Sequence, residues 1–110
     1  MAKNQDTIIG TGEIFGKGVY ANRDFKKNEI VIQYSLKKLT DNEFHNLSEE
    51  EKNFVHTHHD VKYLYGIPER YVNHSSNPST IQDLNNQCDV ALRYIKKGEQ
   101  ITTDASKDDI

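Results

Sequence analysis

The sequence predicts a mainly β protein that forms one domain over residues 1–110. Five segments carry the β-branched and aromatic residues typical of strands, and none of them shows a helical apolar stripe. They are GVYANRD (18–24), EIVIQYS (29–35), KYLYGI (62–67), DVALRYI (89–95) and QITTD (100–104). A chain of 110 residues can bury one core but leaves no room for a second globular unit.

The first element follows a glycine-rich segment, GTGEIFGKGVYA (10–21). Its glycines do not have the G-x-G-x-x-G spacing of dinucleotide-binding proteins, and a strand rather than a helix follows them, which excludes that kind of nucleotide site. Glycine instead allows the backbone to approach another group closely, either a neighbouring strand or a ligand. Both interpretations remain open for Gly16–Lys17–Gly18.

One or two short helices are expected between about residues 40 and 58. Thr40 with Glu43, and Ser48 with Glu51, match the S/T-x-x-E capping box, in which the two side chains satisfy each other's backbone N–H groups. The segment EEEKNFVHTHH (49–59) then places acidic residues in a first helical turn, with Phe54 and Val55 on one face.

Histidines cluster in HTHHD (56–60), at the end of this predicted helical region. His56 and Asp60, four residues apart, could share a helical face and bind a metal. A solvated helix end is the favoured interpretation, because no thiol or second carboxylate completes a ligand set. The sequence therefore predicts no metal site.

Two segments repeat one pattern: NRDFKKNEIVI (22–32) and LRYIKKGEQIT (92–102). Each has an apolar residue, a Lys-Lys pair, Asn or Gly, Glu and then a strand. Asn28 and Gly98 lie where a tight turn needs a positive φ. Two copies are too few for a repeat protein, so we expect two similar hairpin-like corners.

Composition limits the class of partner and the cellular location. A net charge of −3 argues against direct binding to nucleic acid, which needs a dense basic surface, and favours a basic partner. No apolar segment approaches the roughly 20 residues of a membrane span, and the N-terminus lacks the apolar core of a signal peptide. With a single cysteine, Cys88, the chain is expected in a reducing cytoplasm, or in the nucleus of a eukaryotic cell.

Several motifs in a fixed order give the chain a family resemblance. They are GKGVYA (16–21), NEIVIQY (28–34), RYVNHSSNP (70–78) and KKGEQITTD (96–104). In these motifs the chain resembles the SET-domain family of protein-lysine N-methyltransferases over nearly its whole length. The resemblance implies small curved β-sheets, one or two short helices, and a C-terminal pseudoknot in which the last strand threads past the Asn-His segment.

The resemblance also implies a cofactor, S-adenosyl-L-methionine, and residues that bind it. Asn73 and His74 would contact the cofactor, the backbone of Gly16, Lys17 and Gly18 would cradle it, and Arg70 and Tyr71 would flank the pocket. Ser76 replaces the cysteine more usual in the motif, a change that should leave the turn intact. No metal ion is required for the reaction.

The resemblance implies two tyrosines in a channel for the substrate lysine. Tyr34 matches one of them. The family's closing tyrosine falls at Ala105, so Tyr65 or Tyr63 is expected to supply the hydroxyl, with Tyr65 taken as the second catalytic residue. Thr103 occupies a position that influences how many methyl groups fit.

Two functions from different classes follow. One is transfer of a methyl group to a lysine side chain of a protein substrate. The alternative is a catalytically impaired module, with Ala105 in place of the catalytic tyrosine, that binds the cofactor or a protein partner. Only Ser106 to Ile110 follow the motif, which leaves the channel short of a wall, and self-association as a homodimer is expected to cover it.

Overall fold

The computed structural model describes residues 6–104 and confirms a mainly β fold. Ten strands form three sheets, with two short helices and one 3-10 turn at Glu69–Tyr71. The strands are β1 (Thr7–Ile14), β2 (Lys17–Ala21), β3 (Ile30–Gln33), β4 (Lys37–Leu39), β5 (Val55–His58), β6 (Val61–Leu64), β7 (Asn73–His74), β8 (Thr80–Asp83), β9 (Cys88–Ala91) and β10 (Gln100–Thr103). The helices are α1 (Asp41–His45) and α2 (Glu49–Lys52).

The three sheets have the strand orders β1-β2-β10-β7, β3-β9-β8 and β4-β6-β5. All five predicted strand segments contain a strand. A shared apolar core joins the first two sheets; its buried members are Val19, Ala21, Phe25, Val31, Ile32, Tyr34, Ala91, Ile95 and Ile101. In the described part of the chain, no helix is long and apolar enough to cross a membrane.

The polar segment 73–80 wraps around the last strand. β7 pairs with β10 in parallel, with Asn73 opposite Thr102. Further along the segment, the Ser79 N–H donates to Thr102 Oγ1 at 3.0 Å, and the Thr80 hydroxyl donates to the Thr102 carbonyl at 2.9 Å. The turn-forming residues of NHSSNPST thus close a loop around β10, which is the expected pseudoknot.

The two repeated segments form two equivalent corners that face each other. Phe25 and Ile95 exchange both backbone hydrogen bonds, at 2.8 and 2.9 Å, and both side chains are fully buried. Asn28 and Gly98 have φ values of +75° and +94°, the conformation that the tight turns were predicted to need. The corners bring β2, β9 and β10 together at the core.

The helices begin at the predicted caps. Thr40 accepts from the Glu43 N–H while the Glu43 carboxylate accepts from the Thr40 N–H, which completes the first capping box. Ser48 also accepts from the Glu51 N–H, at 3.2 Å. The Glu51 carboxylate, however, binds the Arg70 guanidinium instead of the Ser48 backbone, so the second box is half formed.

The two short helices expected between about residues 40 and 58 are present, but the histidine-rich segment after them is a β-hairpin and not the solvated helix end that the sequence favoured. β5 pairs with β6 across a two-residue turn, His59–Asp60, whose φ values are +52° and +66°. Two successive positive φ values are typical of the turns that match strand twist, and β-branched residues on both strands favour the pairing. His56 therefore lies on a strand, not at a helix end, and no group of three potential metal ligands occurs among residues 6–104.

Gly12 shows that the glycine-rich segment serves strand packing at this position. A Cβ atom there would lie 2.4 Å from the Lys17 carbonyl oxygen and 2.7 Å from the Gly18 backbone nitrogen. Because both contacts are with backbone, Gly12→Ala is expected to lower the free energy of unfolding by about 1–3 kcal/mol in urea titrations. Gly16→Asn is the matched control, since its Cβ would meet open space and Asn tolerates a φ of +77°. A Gly12→Ala protein as stable as the wild type would contradict this packing.

Candidate functional site

A cavity of about 310 Å³ lies where the three sheets meet. Its lining includes the two predicted catalytic residues, Tyr34 and Tyr65, and the predicted cofactor-binding residues Asn73 and His74. The end of β1, the strands β5 and β9 and the residues after α2 supply other parts of the wall. The fold therefore brings residues as far apart in the sequence as Glu13 and Thr103 into one site.

Tyr34 follows β3 directly and is buried, with 7% of its surface exposed. Its hydroxyl donates a hydrogen bond to Asp89 Oδ1 on β9. Asp89 is itself 1% exposed and lines the same cavity. The Tyr34 hydroxyl is thus held at the cavity wall by a buried carboxylate.

Tyr65 follows β6 and is 3% exposed. Its hydroxyl lies 2.8 Å from His58 Nε2, and its ring centroid is 5.7 Å from that of Tyr34 and 4.4 Å from that of His56. Tyr63, the other candidate for the missing hydroxyl, is only half-buried and is not among the residues that line the cavity. Of the two, the fold places Tyr65 beside Tyr34.

Asn73 is 3% exposed and ties the first sheet together through its side chain. Its Oδ1 accepts from the Glu13 N–H at 2.8 Å and from Gln100 Nε2 at 3.2 Å. Its Nδ2 donates to the carbonyls of Lys17 and Tyr71, both at 3.0 Å. The Glu13 N–H is available because a β-bulge interrupts the β1–β2 pairing at this point.

His74, the next residue, is exposed and lies at the cavity rim. Its Nδ1 is 3.7 Å from Asp104 Oδ1, an ion pair when the imidazole is protonated. Thr103, opposite His74 in the β7–β10 pairing, is 4% exposed and lines the cavity. Ala105, on which the alternative function depends, lies outside the described residues.

The segment predicted to hold the cofactor through its backbone, Gly16–Lys17–Gly18, lies next to the cavity rather than in its wall. Gly16, Lys17, Gly18 and Tyr71 are absent from the lining, and the residues just before them, Glu13 to Phe15, supply it. Lys17 Nζ lies 5.4 Å from the centre of the Tyr71 ring, so these two side chains contact each other.

Arg70 lines the cavity and connects two segments that surround it. Its guanidinium donates two hydrogen bonds to Glu51, at 2.7 and 3.2 Å, and stacks 4.5 Å from the Phe54 ring centre. Burial disfavours the charged form, but the hydrogen bonds and charge of Glu51 outweigh it, so the pKa of Arg70 is raised above its usual value. This bidentate pair fixes α2 against the segment that leads into Asn73.

Sequence reasoning missed two buried acids of the cavity, Glu69 and Asp89. Glu69 is 5% exposed, and its Oε2 accepts from the backbone N–H groups of Ser35 and Gly66 at 2.6 and 3.0 Å. The one available signal was the presence of an acidic residue in the otherwise apolar strand CDVA (88–91).

Comparisons with known proteins agree with this architecture. The family model "SET domain" matches residues 16–104. Human histone-lysine N-methyltransferase 2D is 30% identical over 115 aligned positions, which cover 90% of this chain, and the mouse protein matches equally. The chain spans only about 2% of the length of these curated relatives.

Solved structures show the same fold. A Plasmodium falciparum protein assigned to the histone methyltransferases superposes with a TM-score of 0.70 at 19% identity, covering 93% of this chain and 94% of that one. Chaetomium thermophilum Polycomb Repressive Complex 2, in an autoinhibited conformation bound to S-adenosylmethionine, gives a TM-score of 0.70 at 20% identity and covers 94% of this chain and 15% of that one. The curated relatives that the chain matches are histone-lysine methyltransferases. Because the family model matches most of the sequence, the chain belongs to the SET-domain family.

Proposed function

We propose that this chain is a protein-lysine N-methyltransferase module that uses S-adenosyl-L-methionine and acts on a lysine side chain of a protein substrate. One observation carries the proposal: a single cavity is lined by Tyr34 and Tyr65 and also by the Asn73–His74 segment. The family resemblance assigns the tyrosines to the lysine channel and the Asn-His pair to the cofactor. That both sets of residues line one cavity supports the proposal.

The residues present fit the proposed cofactor. A volume of about 310 Å³ is in the range of small-molecule sites. Glu69 Oε1 is buried in the wall without a hydrogen-bond partner among the described residues, and such an acceptor suits a cationic ligand. Asn73 and His74 would hold the ligand, with Gly16–Lys17–Gly18 and Tyr71 at the edge. When bound, the cofactor supplies an electrophilic methyl group on a sulfonium.

The contribution of the protein is to orient and dehydrate the lysine amine. A free lysine has a pKa of about 10.4, so most of it is protonated and unable to attack at neutral pH. The part of the cavity lined by the buried rings of Tyr34, Tyr65 and Phe54 excludes water and disfavours the ammonium form of the lysine. Hydroxyl groups held in place by Asp89 and His58 can then orient the neutral amine.

Methyl transfer tests this function. The purified chain should add methyl groups to lysine-rich peptides in the presence of S-adenosyl-L-methionine. The increase in the mass of the peptide measures this transfer. Peptides in which every lysine is replaced by norleucine should gain none, because they lack the nucleophile. A folded protein that methylates no lysine peptide would refute the proposal.

A second candidate is a binding module that keeps the cofactor pocket but is catalytically impaired. The observation in its favour is Ala105, where the family motif closes with a tyrosine. This candidate predicts binding of the cofactor or of a lysine-containing protein partner, with no methyl transfer.

Ala105→Tyr separates the two candidates. The new hydroxyl would act on the amine in the transition state, so the variant is expected to transfer methyl about tenfold faster, with little change in cofactor affinity. Steady-state assays and calorimetry measure the two effects, and Ala105→Phe controls for the ring. If Ala105→Phe accelerates the reaction as much, the added hydroxyl is not the cause.

The remaining partner predictions extend this proposal. The net charge of −3 favours a basic segment as the lysine-containing substrate. Self-association as a homodimer, no direct nucleic-acid binding and a cytoplasmic location stay predictions, and sedimentation at several concentrations measures the first of them.

A further inference from the structure

Phe15 has a backbone conformation that is unusual for a bulky side chain. It joins β1 to β2 in a two-residue turn with Gly16, and their φ values are +51° and +77°. Such turns favour asparagine, aspartate or glycine at the first position, because a Cβ atom is strained at positive φ. Phenylalanine is therefore strained at a position where asparagine would relieve the strain. In the range 6–104, every other positive φ belongs to glycine or to a polar residue, namely Gly16, Asn28, His59, Asp60, Gln87 and Gly98.

The side chain of Phe15 is exposed at the mouth of the cavity. Phe15 lines the cavity together with Tyr34 and Tyr65, yet 56% of its surface is exposed, against 7% and 3% for the two tyrosines. The tyrosines therefore form the interior of the cavity, and Phe15 lies at its opening. Single exposed apolar residues are common on protein surfaces, so this exposure carries meaning only together with the strained backbone and the place in the wall.

Phe54 supports the exposed ring. The ring centroids of Phe15 and Phe54 are 5.4 Å apart, with a tilt of 52°. Phe54 is itself 4% exposed and is held by the Tyr71 ring, edge to face at 5.6 Å, and by the Arg70 guanidinium at 4.5 Å. Phe15 thus packs on a buried aromatic residue while much of its surface stays open, and a flat apolar surface of this kind binds planar rings by stacking.

We propose that Phe15 is a binding residue whose ring stacks on the purine ring of the cofactor. The inference rests on the proposed function and adds a residue to its site. In that function the methyl group is transferred beside Tyr34 and Tyr65, so the sulfonium lies in the interior of the cavity. The purine is at the other end of the cofactor and is therefore left at the mouth, where Phe15 lies.

Phe15→Asn separates binding from folding. Asparagine removes the ring but tolerates the positive φ, so relief of strain offsets the lost contact with Phe54, and the temperature of half-unfolding should not fall. Affinity for S-adenosylmethionine, measured by calorimetry, should fall about tenfold, the order of magnitude for losing one stacked base. Phe15→Tyr keeps the ring and should keep the affinity.

His59→Asn is the matched control. His59 has a φ of +52° in the two-residue turn between β5 and β6, is exposed and does not line the cavity. The variant makes the same change of turn residue away from the proposed site, so its cofactor affinity should equal that of wild type. Phe15→Gly, which also relieves the strain, is a second variant should Phe15→Asn not fold, as judged by circular dichroism.

S-adenosylhomocysteine identifies the part of the cofactor that the ring contacts. It carries the same purine but lacks the sulfonium, so Phe15→Asn should weaken the binding of both ligands by the same factor. Weaker binding of S-adenosylmethionine alone would indicate a cation over the ring and would overturn the assignment of Phe15 to the purine.

Affinities of Phe15→Asn equal to those of wild type would overturn the inference even if the protein methylates lysine. An unfolding temperature that falls together with the affinity, or failure of both variants to fold, would overturn it too, because the ring would then serve packing. Failure of the wild type to bind either ligand would instead refute the proposed function, and the inference with it.

Discussion

Tyr65→Phe is expected to slow methyl transfer about a hundredfold while leaving cofactor affinity nearly unchanged. The hydroxyl is buried at the cavity and is fixed by His58 Nε2 at 2.8 Å, so it is organised before the substrate arrives. Removing one preorganised polar group of this kind costs about two orders of magnitude in rate in other enzymes. The phenylalanine ring keeps the contacts with Tyr34 and His56, which limits the structural effect.

Tyr63→Phe is the control for this result. Tyr63 is two residues away on β6, is half-buried and does not line the cavity, so its hydroxyl should not affect the rate. Single-turnover rates with a lysine peptide, and calorimetric titration with the cofactor, measure both effects. Equal rates for wild type and Tyr65→Phe would exclude Tyr65 as the residue that supplies the missing hydroxyl.

Asn73→Ala is expected to destabilise the fold by about 2–4 kcal/mol and to weaken cofactor binding. The side chain makes four hydrogen bonds, which link β1, β2, β10 and the 3-10 turn. Truncation leaves the Glu13 N–H and the carbonyls of Lys17 and Tyr71 without this partner, and buried groups of that kind are costly. Because the same atoms position the cavity edge, loss of stability and loss of affinity should occur together.

Asn77→Ala tests whether this effect is specific. Asn77 is exposed in the same loop, and it donates a hydrogen bond to Ser75 Oγ through its backbone N–H, which alanine retains. Urea unfolding gives the stability of both variants, and affinity is measured at a temperature where circular dichroism shows them folded. An unfolding free energy for Asn73→Ala equal to that of wild type would show that this side chain does not stabilise the first sheet.

Local sequence predicted those parts of the fold that local chemistry determines. The capping box at Thr40, the positive φ at Asn28 and Gly98, and the β-branched strands all follow from interactions within a few residues. The hairpin of β5 and β6 was missed because its two-residue turn is His59–Asp60 rather than the usual glycine-containing pair. Its pairing with β4 adds a third strand, which no local pattern could reveal.

The candidate site was predicted in part, for a similar reason. Tyr34, Asn73 and His74 lie in motifs whose resemblance to the family is visible in the sequence. Asp89 is 55 positions from its partner Tyr34, and Glu69 is 34 positions from Ser35, so the role of either acid depends on contacts that form only in the folded chain. Carboxylates are usually exposed, and a single sequence gives no reason to expect these two inside a cavity.

Calorimetric titration of the folded wild-type chain with S-adenosyl-L-methionine tests the central claim most directly, because the proposed methyl transfer requires the cofactor in the cavity lined by Tyr34, Tyr65 and Asn73. The account predicts saturable binding of one cofactor per chain, which Asn73→Ala weakens and Asn77→Ala does not. No detectable binding up to millimolar cofactor, by a protein that circular dichroism shows to be folded, would contradict it.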